Sequence, residues 1–225
     1  MADLDIPSAY SVASSDRTGL RMAYDQVAST YGTKRNPRYD AFRDSVLSWF
    51  ADEVRPVAVE VADLGSGPGY ESLFLASAGL QPLAVDFSPL MAAECRRRGI
   101  RSAVMDLYSL GLTEGHFGGV LMSFSFLHIP KSDAAHILQE VARSLRPGGT
   151  LLILLFEGEG EGPRTGDIRT FGTARWFSYY RQDELCALFG PEWEITREFK
   201  LDISPRPTIG CAARRIGATS IKLGV

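Results

Sequence analysis

Apolar positions recur at helical spacing twice before any strand-like run appears. In residues 20–33 (LRMAYDQVASTYGT) and 39–53 (YDAFRDSVLSWFADE) they return every three or four positions. The first stretch stops at Gly32 and the second before Arg55-Pro56. From residue 57 the pattern changes. Strands are predicted over 57–64, 82–86, 102–106, 117–124 (despite Gly118 and Gly119) and 150–156. Helices over 70–78, 89–98 and 133–145 separate most of them, with Gly79, Gly99 and Pro147-Gly148-Gly149 as stops. A helix over 182–189 closes at Gly190, and strands over 193–201 and 208–216 follow. The first of these sets Trp193 and Ile195 against Glu194 and Thr196, an alternation typical of a sheet edge. Repeated β–α units predict an α/β fold with a doubly wound, mostly parallel sheet of seven strands. Two closing strands with no helix between them predict an antiparallel hairpin at its edge.

A chain of 225 residues fits one domain spanning 1–225. Its parts would be N-terminal cap helices (1–55), a core (56–156), an insertion (157–181) and a C-terminal helix and hairpin (182–225). The first dozen residues, rich in Ser and Asp, are expected to be loose. Charge then narrows the function classes. Lys and Arg number 24 against 27 Asp and Glu, a formal net charge of −3, whereas proteins that grip nucleic-acid backbones usually carry a basic surplus. The run Arg96-Arg97-Arg98 reads as a solvated helix face. Cys95, Cys186 and Cys211 are odd in number and far apart, and His116, His128 and His136 lack ligand-spaced companions, so no metal site is expected. The N-terminus has no apolar core of a secretory signal, and the clearest apolar run, Leu151 to Phe156, is far too short for a membrane span. A cytoplasmic protein, monomer or homodimer, with no membrane partner is expected.

The densest chemical signal is Val61-Ala62-Asp63-Leu64-Gly65-Ser66-Gly67-Pro68-Gly69, between the first strand and the helix near Tyr70. Glycines there admit positive φ and let a ligand approach the backbone. A dinucleotide fold needs G-x-G-x-x-G/A, but the third position, counted from Gly65, is Tyr70. The Gly-Lys-Ser/Thr ending of a phosphate loop is absent too. Asp63 at the mouth repels a pyrophosphate and attracts a cation such as an ammonium or sulfonium.

The run Asp63 to Gly69 matches [DE]-x-G-x-G-x-G, and the chain here resembles the class I S-adenosylmethionine (SAM)-dependent methyltransferases, particularly the small-molecule members. Val85-Asp86-Phe87-Ser88, Val104-Met105-Asp106-Leu107 and Leu145-Arg146-Pro147-Gly148-Gly149 follow in the family's order. The resemblance implies a Rossmann-like fold and S-adenosyl-L-methionine as cofactor, converted to S-adenosyl-L-homocysteine. It places Asp63 near the amino-acid end, Gly65 and Gly67 against the cofactor, Asp86 on both ribose hydroxyls and Asp106 on the adenine amino group. Ser66, Gly69, Phe87, Met91, Met105, Leu107, Ser123 and Phe124 complete the implied cofactor set. Tyr31, with Lys34 or Arg35, would close over the methionine end, a cation there pairing with its carboxylate.

Acceptor chemistry is less sharply marked. Ser123 to Pro130 follows the fourth strand, and many small-molecule family members carry a His at the place of His128. An imidazole with a pKa near 6.5 can take a proton from a hydroxyl, carboxyl or ammonium group, so His128 is the candidate base; packing or capping is its alternative. The Asn/Asp-Pro-Pro-aromatic signature of nucleobase amino-methylation is absent. Residues 157–181 combine Glu157-Gly158-Glu159-Gly160-Glu161-Gly162 with Arg164, Phe171, Arg175, Trp176, Phe177, Tyr179, Tyr180 and Arg181. A long insertion after a strand's carboxyl end suggests a lid; a solvated loop and helix is its alternative. Tyr24, Phe126, Trp176, Tyr179 and Tyr180 are candidate acceptor contacts, and Glu157 could neutralise an amine. Methyl transfer to a small molecule is therefore expected, on oxygen or nitrogen. Peptide or RNA acceptors, a nicotinamide oxidoreductase and a non-catalytic SAM-binding module are the alternatives.

Overall fold

The computed structural model describes residues 17–31, 37–164, 175–201 and 207–217. Helices α1 (Arg17–Val27) and α2 (Pro37–Val54) precede the sheet. Then come β1 (Glu60–Leu64), α3 (Tyr70–Ser77), β2 (Gln81–Asp86), α4 (Pro89–Arg97), β3 (Arg101–Val104), β4 (Phe117–Ser123), α5 (Ala134–Ser144) and β5 (Leu145–Phe156). The chain ends with β6 (Glu161–Arg164), β7 (Arg175–Ser178), α6 (Gln182–Cys186), β8 (Trp193–Leu201) and β9 (Thr208–Arg215). The expected loose N-terminal dozen lies outside the described residues. No described helix is long and apolar enough to cross a membrane.

Seven strands form one sheet in the order β3-β2-β1-β4-β5-β9-β8. β1 pairs in parallel with β2 on one side and β4 on the other, so the winding direction reverses between β1 and β4. Open sheets of this kind bind ligands outside the carboxyl ends at such a switch point. β9 runs antiparallel between β5 and β8, as the closing hairpin requires.

Side chains alternate across the strands and feed two cores. Ala62, Val120, Met122, Leu151 and Ile153 pack with Ile137, Leu138 and Val141 of α5. Val61, Leu121, Leu152 and Leu154 pack with Leu47, Phe50 and Val54 of α2 and Leu75 of α3. This two-sided cover is why β4 and β5 read as continuous apolar runs.

Two expectations need correction. The fifth strand starts at Leu145, which pairs with Phe117, while Thr150 pairs with Gly119. Pro147-Gly148-Gly149 is therefore an irregularity inside one strand, with Gly148 at φ 82. In β8 the register shifts between Ile195 and Arg197. A one-residue slip turns later side chains to the other face. Trp193 joins the α5-side core, Phe199 joins the α2-side core, and Ile195 is left exposed. In the insertion, β6 and β7 pair antiparallel as a ribbon.

Gly118 and Gly119 are also explained. A Cβ on Gly118 would meet the Ala58 carbonyl oxygen at 2.5 Å, and one on Gly119 would meet Val54 and Phe50 of α2 at 2.6 and 2.7 Å. These glycines let α2 and the chain entering β1 lie against β4. Gly119→Val should destabilise the fold by about 1–3 kcal/mol in urea titration, the usual cost of overpacking. Gly111→Ala, where a Cβ meets nothing within 4 Å, should shift stability by less than about 0.5 kcal/mol. Equal effects would contradict this packing role.

Candidate active site

The chain leaving β1 is laced to the end of β2. The Gly65 and Ser66 amides both donate to the Val85 carbonyl, at 2.7 and 3.0 Å. The Gly67 amide donates to Asp86 Oδ2 at 2.8 Å, and the Ser88 amide to Asp86 Oδ1 at 2.8 Å. Gly65, Gly67 and Gly69 have φ of 73, 53 and 83°, a region that favours glycine. They differ in surroundings. A Cβ on Gly65 would strike Ser125 Cβ at 2.3 Å, and one on Gly69 would approach Cys95 Sγ at 2.9 Å. On Gly67 it would meet nothing within 4 Å and would project into open space. Gly65 and Gly69 are thus packing requirements, whereas Gly67 bares backbone where a ligand would lie.

Three carboxylates stand at or just beyond the ends of β1, β2 and β3. Asp63 near the end of β1 is 1% exposed and accepts from Ser72 Oγ at 2.6 Å. Burial, then the charge of Glu71, pushes it up to about 7. Burial also pushes Asp86 up to about 6, opposed by the Ser88 and Gly67 amides. Each Asp86 oxygen keeps a lone pair beyond its amide bond, as a diol ligand requires. Asp106, just beyond β3, accepts from the Tyr108 amide at 3.0 Å and pairs with Arg17 of α1 at 2.7 Å. This set of acceptors fits a ligand that carries an ammonium group, a diol and an amino group.

Beyond β4 the chain turns at Phe124, whose φ of 56° is the one positive value among described non-glycine residues. Its amide bonds the Leu154 carbonyl at 2.8 Å, and its ring packs on Phe156 and Tyr39. Strain held this firmly is common at functional sites. Tyr39 also hydrogen-bonds Ser123. The 3₁₀ turn that follows places His128 Nδ1 2.7 Å from the Trp176 carbonyl and Nε2 2.7 Å from Tyr24 Oη. The carbonyl can only accept, so Nδ1 carries the hydrogen and Nε2 presents its lone pair. Burial lowers His128 to about 4, so the ring is neutral at ordinary pH.

The other predicted residues divide. Tyr24 and Tyr31 meet edge-on at 5.7 Å on the underside of α1, and Trp176 and Tyr179 belong to the ribbon segment, partly exposed. Phe87 is partly exposed beside Asp86; Met105 and Leu107 pack against the α5-side core. Several candidates are corrected. Met91 is fully buried with Val27 and Ala28 and serves to seat α1. Phe126 and Tyr180 are core residues, at 0 and 1% exposure, not acceptor-facing ones. Glu157 is paired with Lys200 at 2.9 Å. Lys34, Arg35 and Phe171 lie outside the described residues.

Four positions escaped sequence reasoning. Ser72 holds Asp63, Ser125 donates to the Leu64 carbonyl and fills the space beside Gly65, and Asp25 accepts from Ser88 Oγ at 2.5 Å. Arg175 donates to Tyr24 Oη at 2.8 Å. The serines and Asp25 carry no motif, and Arg175 was one basic residue among several in the insertion.

Residues 61–149 match the family model described as a methyltransferase domain. A demethylmenaquinone methyltransferase of Mycolicibacterium gilvum (strain PYR-GCK) is 33% identical over 105 residues, 47% of this chain and 45% of that protein. The match thus spans less than half the length of that curated relative. The crystal structure of Burkholderia thailandensis 1,6-didemethyltoxoflavin-N1-methyltransferase, with bound 1,6-didemethyltoxoflavin and S-adenosylhomocysteine, superposes with a TM-score of 0.67. It shares 21% identity over 95% of this chain and 94% of its own. The CcbJ methyltransferase from Streptomyces caelestis also gives 0.67, at 16% identity, covering 87% of this chain and 98% of that one. The matched segment is that of a methyltransferase domain, and the fold is the one these solved methyltransferases share.

The raised Asp63 has a consequence for the free protein. A carboxyl held at about 7 when folded and near 3.9 when unfolded adds stability that is complete below about pH 4. That contribution is lost progressively as pH rises toward 7. Asp63→Asn should remove this component, so the stability gap between wild type and variant should narrow or reverse on moving from about pH 5 to about pH 8. Thermal melts across that range read it directly; parallel curves would contradict the assignment.

Proposed function

We propose that this protein is a SAM-dependent methyltransferase acting on a small molecule, giving S-adenosylhomocysteine. The observation that carries the proposal is the open face at Gly67 flanked by the Asp63, Asp86 and Asp106 carboxylates at three successive strand ends. Asp63 takes the ammonium group, Asp86 the ribose hydroxyls and Asp106 the adenine amino group. When bound, the cofactor supplies a methyl group already activated on a sulfonium.

What the chain adds is position, exclusion of water and a proton acceptor. α1 lies over the strand ends, tied by Asp25 to Ser88 and by Arg17 to Asp106. His128 Nε2 is the proton acceptor, held neutral by burial and aimed by the Trp176 carbonyl. The ribbon of β6 and β7 acts as the cover expected of the insertion. A small acceptor is supported by the enclosed aromatic surroundings of Tyr24, His128 and Phe177. It is also supported by the relative and the Burkholderia enzyme, a demethylmenaquinone and a 1,6-didemethyltoxoflavin methyltransferase.

Calorimetric titration with S-adenosylhomocysteine should show micromolar binding, and NADH none. Asp86→Ala should weaken that binding by about 1.5–3 kcal/mol, the range for hydrogen bonds to a charged group. Once an acceptor is in hand, His128→Ala should cut turnover by on the order of a hundredfold with little change in cofactor affinity. NADH binding, or unchanged affinity in Asp86→Ala, would overturn the proposal.

A further inference from the structure

Cys186 and Cys211 are 25 positions apart in sequence, yet the Cys186 thiol donates to Cys211 Sγ at 3.6 Å. Both are free thiols. Cys186 is the last residue of α6 and is partly exposed, whereas Cys211 is wholly buried in β9. No third His, Cys, Asp or Glu joins them among the described residues, so the pair falls short of a four-ligand zinc set. Two adjoining thiols can still form one covalent bond with each other.

A disulfide holds its sulfurs about 2.05 Å apart, so this pair must close by about 1.5 Å. β9 is poorly placed to move, because Cys211 pairs with Ile153 of β5 on one side and Glu198 of β8 on the other. α6 has only five residues, and Cys186 stands at its end, just before the turn at 187–188. The shift therefore falls on Cys186. Access divides the chemical roles in the same way. A small oxidant from solvent meets Cys186 before Cys211. The Gln182 amide donates to Cys186 Sγ at 3.5 Å and to the Gly210 carbonyl at 3.1 Å. A donor on sulfur favours the thiolate, the reactive form. Burial, then the neighbouring Cys186, pushes Cys211 up, so Cys211 waits as a thiol.

We propose that Cys186 and Cys211 are a reversible dithiol–disulfide site at the foot of the β6–β7 ribbon, oxidised by hydroperoxides, with Cys186 reacting first and Cys211 resolving. The Cys186 thiolate attacks one peroxide oxygen: an S–O bond forms, the O–O bond breaks, and the leaving oxygen takes a proton. The Cys211 sulfur then attacks the Cys186 sulfur. The S–S bond forms, the S–O bond breaks, and the departing hydroxide leaves as water with the Cys211 proton. Two thiols lose two electrons and one peroxide gains them. The bond ties α6 to the sheet where the insertion returns to it. The Tyr180 carbonyl, just ahead of α6, accepts from the Gly158 amide at 3.1 Å, and Glu184 of α6 pairs with Lys131 at 2.5 Å, three residues past His128. Oxidation thus restrains the segment on which both ends of the ribbon rest.

The test treats the reduced full chain with hydrogen peroxide. Of its three thiols, one should survive, at Cys95, and the mass should fall by two hydrogens. Digestion without reductant should yield the Cys186 and Cys211 peptides joined within one chain, and a thiol reductant should restore all three thiols. Cys211→Ser should strand Cys186 as a sulfenic acid that dimedone traps, and Cys186→Ser should leave Cys211 unreacted. In the oxidised wild type, hydrogen exchange of the Leu185 and Ala187 amides, which bond the Arg181 and Asp183 carbonyls, should slow by about tenfold. Three surviving thiols, a Cys186 sulfinic acid beside a free Cys211, or a linkage between two chains would each overturn the site. Exchange that oxidation leaves unchanged or speeds would overturn the restraint. These readings come from the wild type and stand even if a variant does not fold.

Discussion

The hydrogen bond from the Gly67 amide to the Asp86 carboxylate is the constraint on which the candidate site depends. It joins the turn after β1 to the end of β2, and two further amides bond the Val85 carbonyl beside it. The turn can lie that low only because Gly65 has no Cβ to strike Ser125, which arrives from β4. Three strand ends thus converge on one point, at the reversal of the sheet's winding. Desolvation of Asp86 opposes this arrangement, and the two backbone amides on its oxygens offset part of that cost.

α1 binds the rest together. Along its eleven residues, Arg17 reaches Asp106, Tyr24 reaches His128, and Asp25 reaches Ser88. Met91 anchors it from below with Val27 and Ala28. A single helix therefore touches the adenine, ribose and acceptor regions assigned above. In the proposed site the carboxylates suit the cationic end of the cofactor. Charged and neutral groups act strongly here because the site is shielded from water.

The strands, their order of appearance and the carboxylates at their ends were legible because each depends on local pattern. Asp63, Asp86 and Asp106 stand where apolar runs stop, and the glycines of the turn read as a unit. What was illegible depends on contacts between distant segments. The Tyr24–Arg175 pair spans 151 residues, and nothing in the sequence of either residue points to the other. The bulge in β8 lies outside what alternation can show, since it appears only against the register of β9. Phe126, in the turn after β4, and Tyr180, in the insertion, were misplaced because an aromatic near a candidate site looks the same in sequence whether it faces a ligand or the core. Gly118 and Gly119 weakened the case for a strand, yet the close approach of α2 is what requires them.

The most direct measurement is a crystal structure of the chain with S-adenosylhomocysteine. The account predicts the ribose hydroxyls on Asp86, the ammonium group toward Asp63 and the homocysteine chain passing the bare backbone of Gly67. The sulfur should point toward Tyr24 and His128. A ligand bound elsewhere on the sheet, or one whose ribose is held by groups other than Asp86, would contradict it.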